Sequence, residues 1–191
     1  MPHYRRETME QKAPWIEIDD FEVLTLEPGV RYALTPRGER ERLMVLGGAV
    51  LVETRFANAL LKRTIWVEMP EEAVVVSATM PAEVLRISGR WQDVTEMTVF
   101  TVRPDRPYDC HYHDSDAYWF IFRGTGSVRS EGNTYPVQRG DMVATASGHE
   151  HGFFPVTEPV EAVEMTTSLR GARRKGQLSR DTHGDPHPPQ A

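Results

Sequence analysis

Short runs of β-branched and aromatic residues, each closed by glycine, proline or an Asx residue, recur from one end of this chain to the other and leave little room for helix. They occupy 21–26, 43–52, 64–68, 73–78 and 84–88 in the first half, and 97–102, 118–123, 126–130, 133–137, 141–146 and 160–166 in the second. Such segments suit a pleated, half-buried surface, and many of them at regular spacing close into a sandwich or barrel. Only 55–62 offers a short turn of helix. The expected class is all-β, and 191 residues suffice for one large domain or two small, closely packed ones.

The layout also repeats. Each half opens on an extended segment at a proline (Pro28, Pro104) and reaches an apolar strand ending in a glycine turn, Leu43-Met44-Val45-Leu46-Gly47-Gly48 and Trp119-Phe120-Ile121-Phe122-Arg123-Gly124. Self-similarity of this kind reads as two related β units. Aligning Gly48 with Gly124 sets Thr35, Arg37 and Glu41 against His111, His113 and Ala117. The histidines belong to the second copy, and the first is expected to be a scaffold. The expected organisation is an N-terminal tail (1–14), a degenerate unit (15–92), a metal-binding unit (93–170) and a flexible tail (171–191). That last segment has almost no apolar surface to offset the entropy of ordering, and its His183 and His187 are expected to be inert.

Charge and cysteine usage narrow the function classes. A net charge of −6 repels polyanions, so no nucleic acid partner is expected. The basic runs at 37–42 and 170–175 read as solvated faces. No stretch approaches the ~18 apolar residues of a membrane span, and the polar N-terminus lacks an apolar signal core. Cys110 is the single cysteine, so no intrachain disulfide forms and a cytoplasmic address is expected.

The chemistry concentrates in two stretches. In the first, His111 and His113 lie two apart, and on a strand they present two imidazoles to one point; neutral imidazole suits zinc, copper, iron and nickel. The second, Gly140-Asp141-Met142-Val143-Ala144-Thr145-Ala146-Ser147-Gly148-His149-Glu150-His151, is an apolar strand, a glycine turn and further histidines. Histidines from separate strands can converge on a fixed site with open positions, as a catalytic metal requires. By alternation Trp119 and Ile121 share the face of position 117 and should line the pocket, and Met142 and Ala144 are expected to line it likewise. Tyr118, Phe120 and Phe122 should point the other way, and Cys110 should leave the face opposite His111 in a structural role. His149 reads as a fourth ligand, a proton-transfer group or a plain turn residue.

Together the two stretches resemble the paired signature of the cupin superfamily, whose first motif carries a His-x-His and a Glu before a glycine turn and whose second carries a Gly-Asp strand, a Pro-x-Gly turn and a third His. The resemblance covers about 95–167. It implies a double-stranded β-helix, or jelly-roll barrel, in a bicupin-like arrangement with two packed β units. It sets His111, His113 and His151 on the three histidine ligands, Gly124 and Gly148 on the turn glycines, and Gly140-Asp141 on the opening of the second motif. Three positions depart from the pattern: Ala117 stands where the Glu ligand is expected, Ala146 in place of the turn proline, and Pro155 in place of an Asn. Asp116, next to the missing Glu, is a possible fourth ligand if a bulge turns it inward.

Three neutral ligands leave a divalent metal its full charge, which favours small anionic, bidentate substrates. The resemblance implies an iron(II)-dependent dioxygenase on a small molecule, with zinc, nickel, manganese or copper as alternative metals; from its place beside His151, His149 is the candidate catalytic group. A metal-dependent isomerase, epimerase or lyase on a sugar or sugar acid is the second reading and would need a general base. A non-catalytic ligand-binding cupin is the third. A homodimer is expected, since pairing protects exposed sheet edges.

Overall fold

The computed structural model describes residues 3–113, 115–167 and 177–179. Its strands are β1 (His3–Arg5), β2 (Ile18–Leu26), β3 (Arg31–Leu34), β4 (Arg40–Gly47), β5 (Ala49–Glu53), β6 (Asn58–Lys62), β7 (Trp66–Glu68), β8 (Val74–Ser77) and β9 (Ala82–Gly89). They continue as β10 (Val94–Val102), β11 (Tyr108–His113), β12 (Asp116–Arg123), β13 (Thr125–Ser130), β14 (Asn133–Gln138), β15 (Asp141–Thr145), β16 (His151–Phe153), β17 (Val160–Thr167) and β18 (Gln177–Ser179). A 3-10 segment, Arg6–Gln11, is the helix among the described residues, and no helix there is long and apolar enough to cross a membrane.

The chain divides into two compact units, Ile16–Trp91 and a second composed of Met1–Trp15 and Gln92–Ala191. In the first, two four-stranded sheets run β2-β9-β4-β7 and β3-β8-β5-β6. In the second, β10-β17-β12-β15 and β11-β16-β13-β14 reproduce that order strand for strand, with β1 added beside β15 and β18 beside β11. The repeat is a pair of antiparallel jelly rolls. Its turn glycines correspond too: Gly48 and Gly124 have φ of 76° and 78°. A Cβ on Gly124 would lie 2.4 Å from the Pro159 carbonyl oxygen, and one on Gly48 2.9 Å from that of Pro81, so both turns require glycine.

Each barrel has its own core. Leu26, Leu43, Val45, Val50, Val76 and Val84 pack inside the first, and Val102, Trp119, Ile121, Val128, Val143 and Phe153 inside the second. Burial alternates along β5, where Val50 and Val52 point inward, but β4 and β12 are buried on both faces, with unbroken apolar runs at 43–46 and 117–122. On β12, Trp119 and Ile121 enter the barrel core while Tyr118, Phe120 and Phe122 are buried on the opposite face, where Tyr118 stacks on Trp15 at 6.5 Å.

Three expectations are corrected. Residues 58–62 form a strand rather than a helical turn: the Thr54 hydroxyl oxygen accepts the N–H groups of Phe56 and Ala57 at 3.2 and 2.9 Å, so the chain reverses and returns beside β5. Residues 1–14 are not a loose tail. Strand β1 pairs with β15, with Arg5 Nε donating to Asp141 Oδ1 at 3.2 Å and His3 Nε2 2.9 Å from Asp141 Oδ2. This polar segment is tied down by backbone pairing and by a carboxylate distant in sequence, neither of which leaves an apolar signature. Within 171–191, Gln177–Ser179 pairs with β11; His183 and His187 lie outside the described residues.

Candidate metal centre

Strands β11 and β16 bring His111 and His151 into direct cross-strand register. Both are buried, and their ring centroids are 4.6 Å apart. His111 Nδ1 lies 2.7 Å from the Asp109 carbonyl oxygen, and His151 Nδ1 lies 3.0 Å from that of His149. A carbonyl only accepts, so each Nδ1–H is the donor and each neutral ring carries its lone pair on Nε2. Burial lowers the His111 pKa against the opposing pull of Asp109, which favours the neutral ring. The same backbone spacing, a carbonyl two residues before each ring, therefore fixes tautomer and orientation in both histidines as a metal ligand requires.

The pair sits against an aromatic wall. The Trp119 ring is 4.9 Å from that of His151 and 6.4 Å from that of His111, Tyr108 meets His111 edge-on at 4.7 Å, and Phe100 and Phe153 flank Trp119 at 5.5 and 5.9 Å. Above Trp119 runs a polar row. Ala117, in the place of the expected glutamate, is the cross-strand partner of both Thr145 and Thr166, and all three are buried.

Glu164 is the functional candidate missing from the sequence reading. It is opposite Trp119 in the β12–β17 register, shares its inward face and is 6% exposed. Burial pushes its carboxyl up to about 7; the Trp119 indole edge pulls it down and Glu96 raises it further. The available signal was the alternation Val160, Ala162, Glu164, Thr166, which places one acidic residue on an otherwise inward face.

The other anticipated residues are spread more widely. His113 stands two residues after His111 on β11, but its side chain lies outside the described residues. Ile121 is in the barrel core. Met142 is corrected: it pairs with Phe120, whereas Val143 pairs with Trp119, so Val143 takes the inward face and Met142 and Ala144 turn away from it. Alternation was right within the strand, but only cross-strand register fixes its phase. Asp116 Oδ1 accepts the Ser147 N–H at 2.9 Å, which commits that oxygen to the turn of the second motif, and burial raises its pKa. The contribution of His149 to the histidine pair is its carbonyl. Its exposed side chain lines a separate cavity of about 210 Å³ with Tyr4, Trp15 and Tyr135, a cavity that none of His111, Trp119 and His151 lines. Cys110 packs close to Gly152, and burial followed by the nearby Glu150 pushes its thiol up to about 11, so it is a protonated structural group. Among the described residues no three His, Cys, Asp or Glu side chains are grouped closely enough to hold an ion; the described part of the centre is the His111–His151 pair.

Residues 98–166 match the family described as Cupin domain. The uncharacterized protein y4oW of Sinorhizobium fredii is 31% identical over 196 residues, covering 92% of this chain and 89% of that protein. The chain belongs to the cupin superfamily. This cupin also resembles an iolB-like protein from Salmonella typhimurium, with a TM-score of 0.65 and 14% identity over 95% of this chain and 92% of the other. An oxalate decarboxylase of Bacillus subtilis gives a TM-score of 0.63 and 10% identity over 87% and 72%. At such identities the likeness is one of fold, and fold alone does not assign chemistry.

Proposed function

We propose that this cupin is a metal-dependent enzyme acting on a small polar or anionic metabolite, with His111, His113 and His151 holding one divalent transition metal. The observation that carries this reading is the matched pair of Nδ1–H to backbone carbonyl contacts, which leaves Nε2 of His111 and of His151 as the coordinating atoms. Imidazole donors fit iron, zinc, nickel and copper. When bound, the metal supplies Lewis acidity and, as iron(II), one-electron chemistry with oxygen. The chain's own residues supply the rest. Neutral histidines leave the positive charge to attract an anion, Trp119, Tyr108 and Phe100 exclude water beside them, and Thr145 and Thr166 offer hydroxyls where Ala117 leaves space.

An iron(II) dioxygenase is the favoured reaction class, since no carboxylate stands at position 117 and the ligand set is neutral. One observation supports the second reading, an isomerase, epimerase or lyase: that chemistry needs a base near neutral pH, and Glu164 meets the requirement. Elemental analysis of the untagged chain, with oxygen uptake measured on small bidentate acids, tests the proposal. About one iron per chain with oxygen-dependent turnover supports the dioxygenase. Zinc, nickel or manganese without oxygen use moves the assignment to the second reading, and a chain that takes up no metal overturns both.

A further inference from the structure

We propose that Glu164 is the acid–base residue of the histidine centre, reaching from β17 into the corner that Ala117 leaves open to take and return the proton of a ligand bound beside His111 and His151. This inference rests on the metal-enzyme reading above. Its first support is register. Ala117 pairs with Thr166 and Trp119 pairs with Glu164, so Glu164 is the diagonal neighbour of position 117 on the inward face. Diagonal neighbours in an antiparallel pair lie about 7–8 Å apart, within reach of a long side chain.

The first barrel shows that side chains at these two positions do meet. There Glu41 pairs with Ser88 and Leu43 with Arg86, the same relation one repeat earlier, and Arg86 Nε donates to Glu41 Oε1 at 2.5 Å with both residues buried. Ala117 stands in the place of Glu41 and Glu164 in that of Arg86, so the partner carboxylate is reduced to a methyl group while the diagonal position carries a carboxyl. Glu164 faces Glu96 and Thr98 from β10 and the Trp119 indole from β12, with the two imidazoles beyond Trp119 on the other sheet. Since no three acidic or histidine groups converge among the described residues, Glu164 is set back from the coordinating atoms and acts on the ligand.

Burial brings the carboxyl to about 7, where an acid–base group transfers protons in both directions most readily. In the forward step the O–H bond of an acidic hydroxyl on the ligand breaks. Its electron pair stays on the ligand oxygen, and a new O–H bond forms on the Glu164 carboxylate.

The test is carbon-13 NMR of the full chain with glutamate side-chain carboxyls labelled, titrated metal-free and loaded with zinc(II), beside Glu164→Gln and His111→Ala. The resonance absent from Glu164→Gln should titrate near pH 7 in the metal-free chain. Zinc should lower its midpoint by about one pH unit or more, because a nearby dication favours the carboxylate. Glu164→Gln should keep zinc at wild-type stoichiometry, and Glu164→Asp, which retains the acid, gives the same comparison if the Gln variant does not fold. Zinc that is lost in His111→Ala but leaves the Glu164 midpoint unmoved overturns the Glu164 assignment alone. Zinc lost with Glu164→Gln makes this residue a ligand and overturns its acid–base role. Zinc bound equally well by His111→Ala overturns the metal reading, and the role of Glu164 with it.

Discussion

The two barrels share eight strands in one order and differ at one interior corner. In the first, Arg86 bonds to Glu41 and to the Thr35 carbonyl, and Glu41 also accepts the Arg37 backbone N–H at 2.8 Å, while Arg37 reaches Asp20 and Glu22. Every charge in that network is answered by another residue of the same barrel. In the second, the corresponding places hold Ala117, Glu164 and the oriented histidines. The strand framework is the same, so what separates scaffold from site is whether buried polar groups are satisfied from within or directed at a guest. A buried ion pair adds little net stability but is costly to break from one side, which makes the first corner a structural commitment.

Four changes break or sharpen that comparison. The largest effect is expected from His111→Ala or His151→Ala, each of which should abolish stoichiometric metal after reconstitution and dialysis, whereas His183→Ala should leave it intact; metal retained at full occupancy in the first two would sink the triad. Next, Glu41→Ala removes the carboxylate that Arg86 Nε donates to, leaving Glu22 at 3.6 Å as its remaining counter-charge, and should destabilise the chain by about 3 kcal/mol, without changing its metal content. The double replacement of Glu41 and Arg86 by methionine should recover most of that loss in urea unfolding, and no recovery would mean that the corner needs its charges.

The third effect depends on pH. Glu164 keeps its proton to about 7 in the folded chain and only to the ordinary glutamate value of 4.5 when unfolded. Its contribution is therefore complete below the unfolded value and is lost as pH rises through the folded one, at most on the order of 3 kcal/mol. His111 runs the other way: its depressed pKa favours stability that is lost as pH falls through the histidine range. The difference between wild type and Glu164→Gln isolates the glutamate. Urea midpoints of the metal-free chain between pH 5 and 8 should fall more steeply with pH in the wild type, and parallel curves would contradict the burial of this carboxyl. The smallest effect belongs to His149→Ala, which removes a side chain directed elsewhere but keeps the carbonyl that orients His151, so metal content should stay unchanged.

Much of this was legible before the structure. Strand-forming runs, glycine turns and the 43–48 and 119–124 repeat indicated a twofold all-β chain; spacing singled out His111 and His113, and the resemblance to cupins added His151. Met142 was misplaced because alternation gives two faces without saying which is inward. The pairing of residues 3–5 leaves no local signal, because their partner, Asp141, lies far along the chain. Glu164 carries only the faint signal of one acidic residue in the alternation of β17, and its neighbour Trp119 lies far along the chain.

What the sequence determined by itself is local: which segments extend, where glycine must turn the chain, and which histidines, two apart on a strand, can share one face. What only the tertiary structure decided is relational. The register of β12 with β15 chose Val143 over Met142, and that of β12 with β17 set Glu164 beside Trp119. The same diagonal that joins Glu41 to Arg86 in one barrel opens beside Ala117 in the other. Those relations follow from hydrogen-bond ladders between strands distant in sequence, where a slip of one residue exchanges the inward and outward faces.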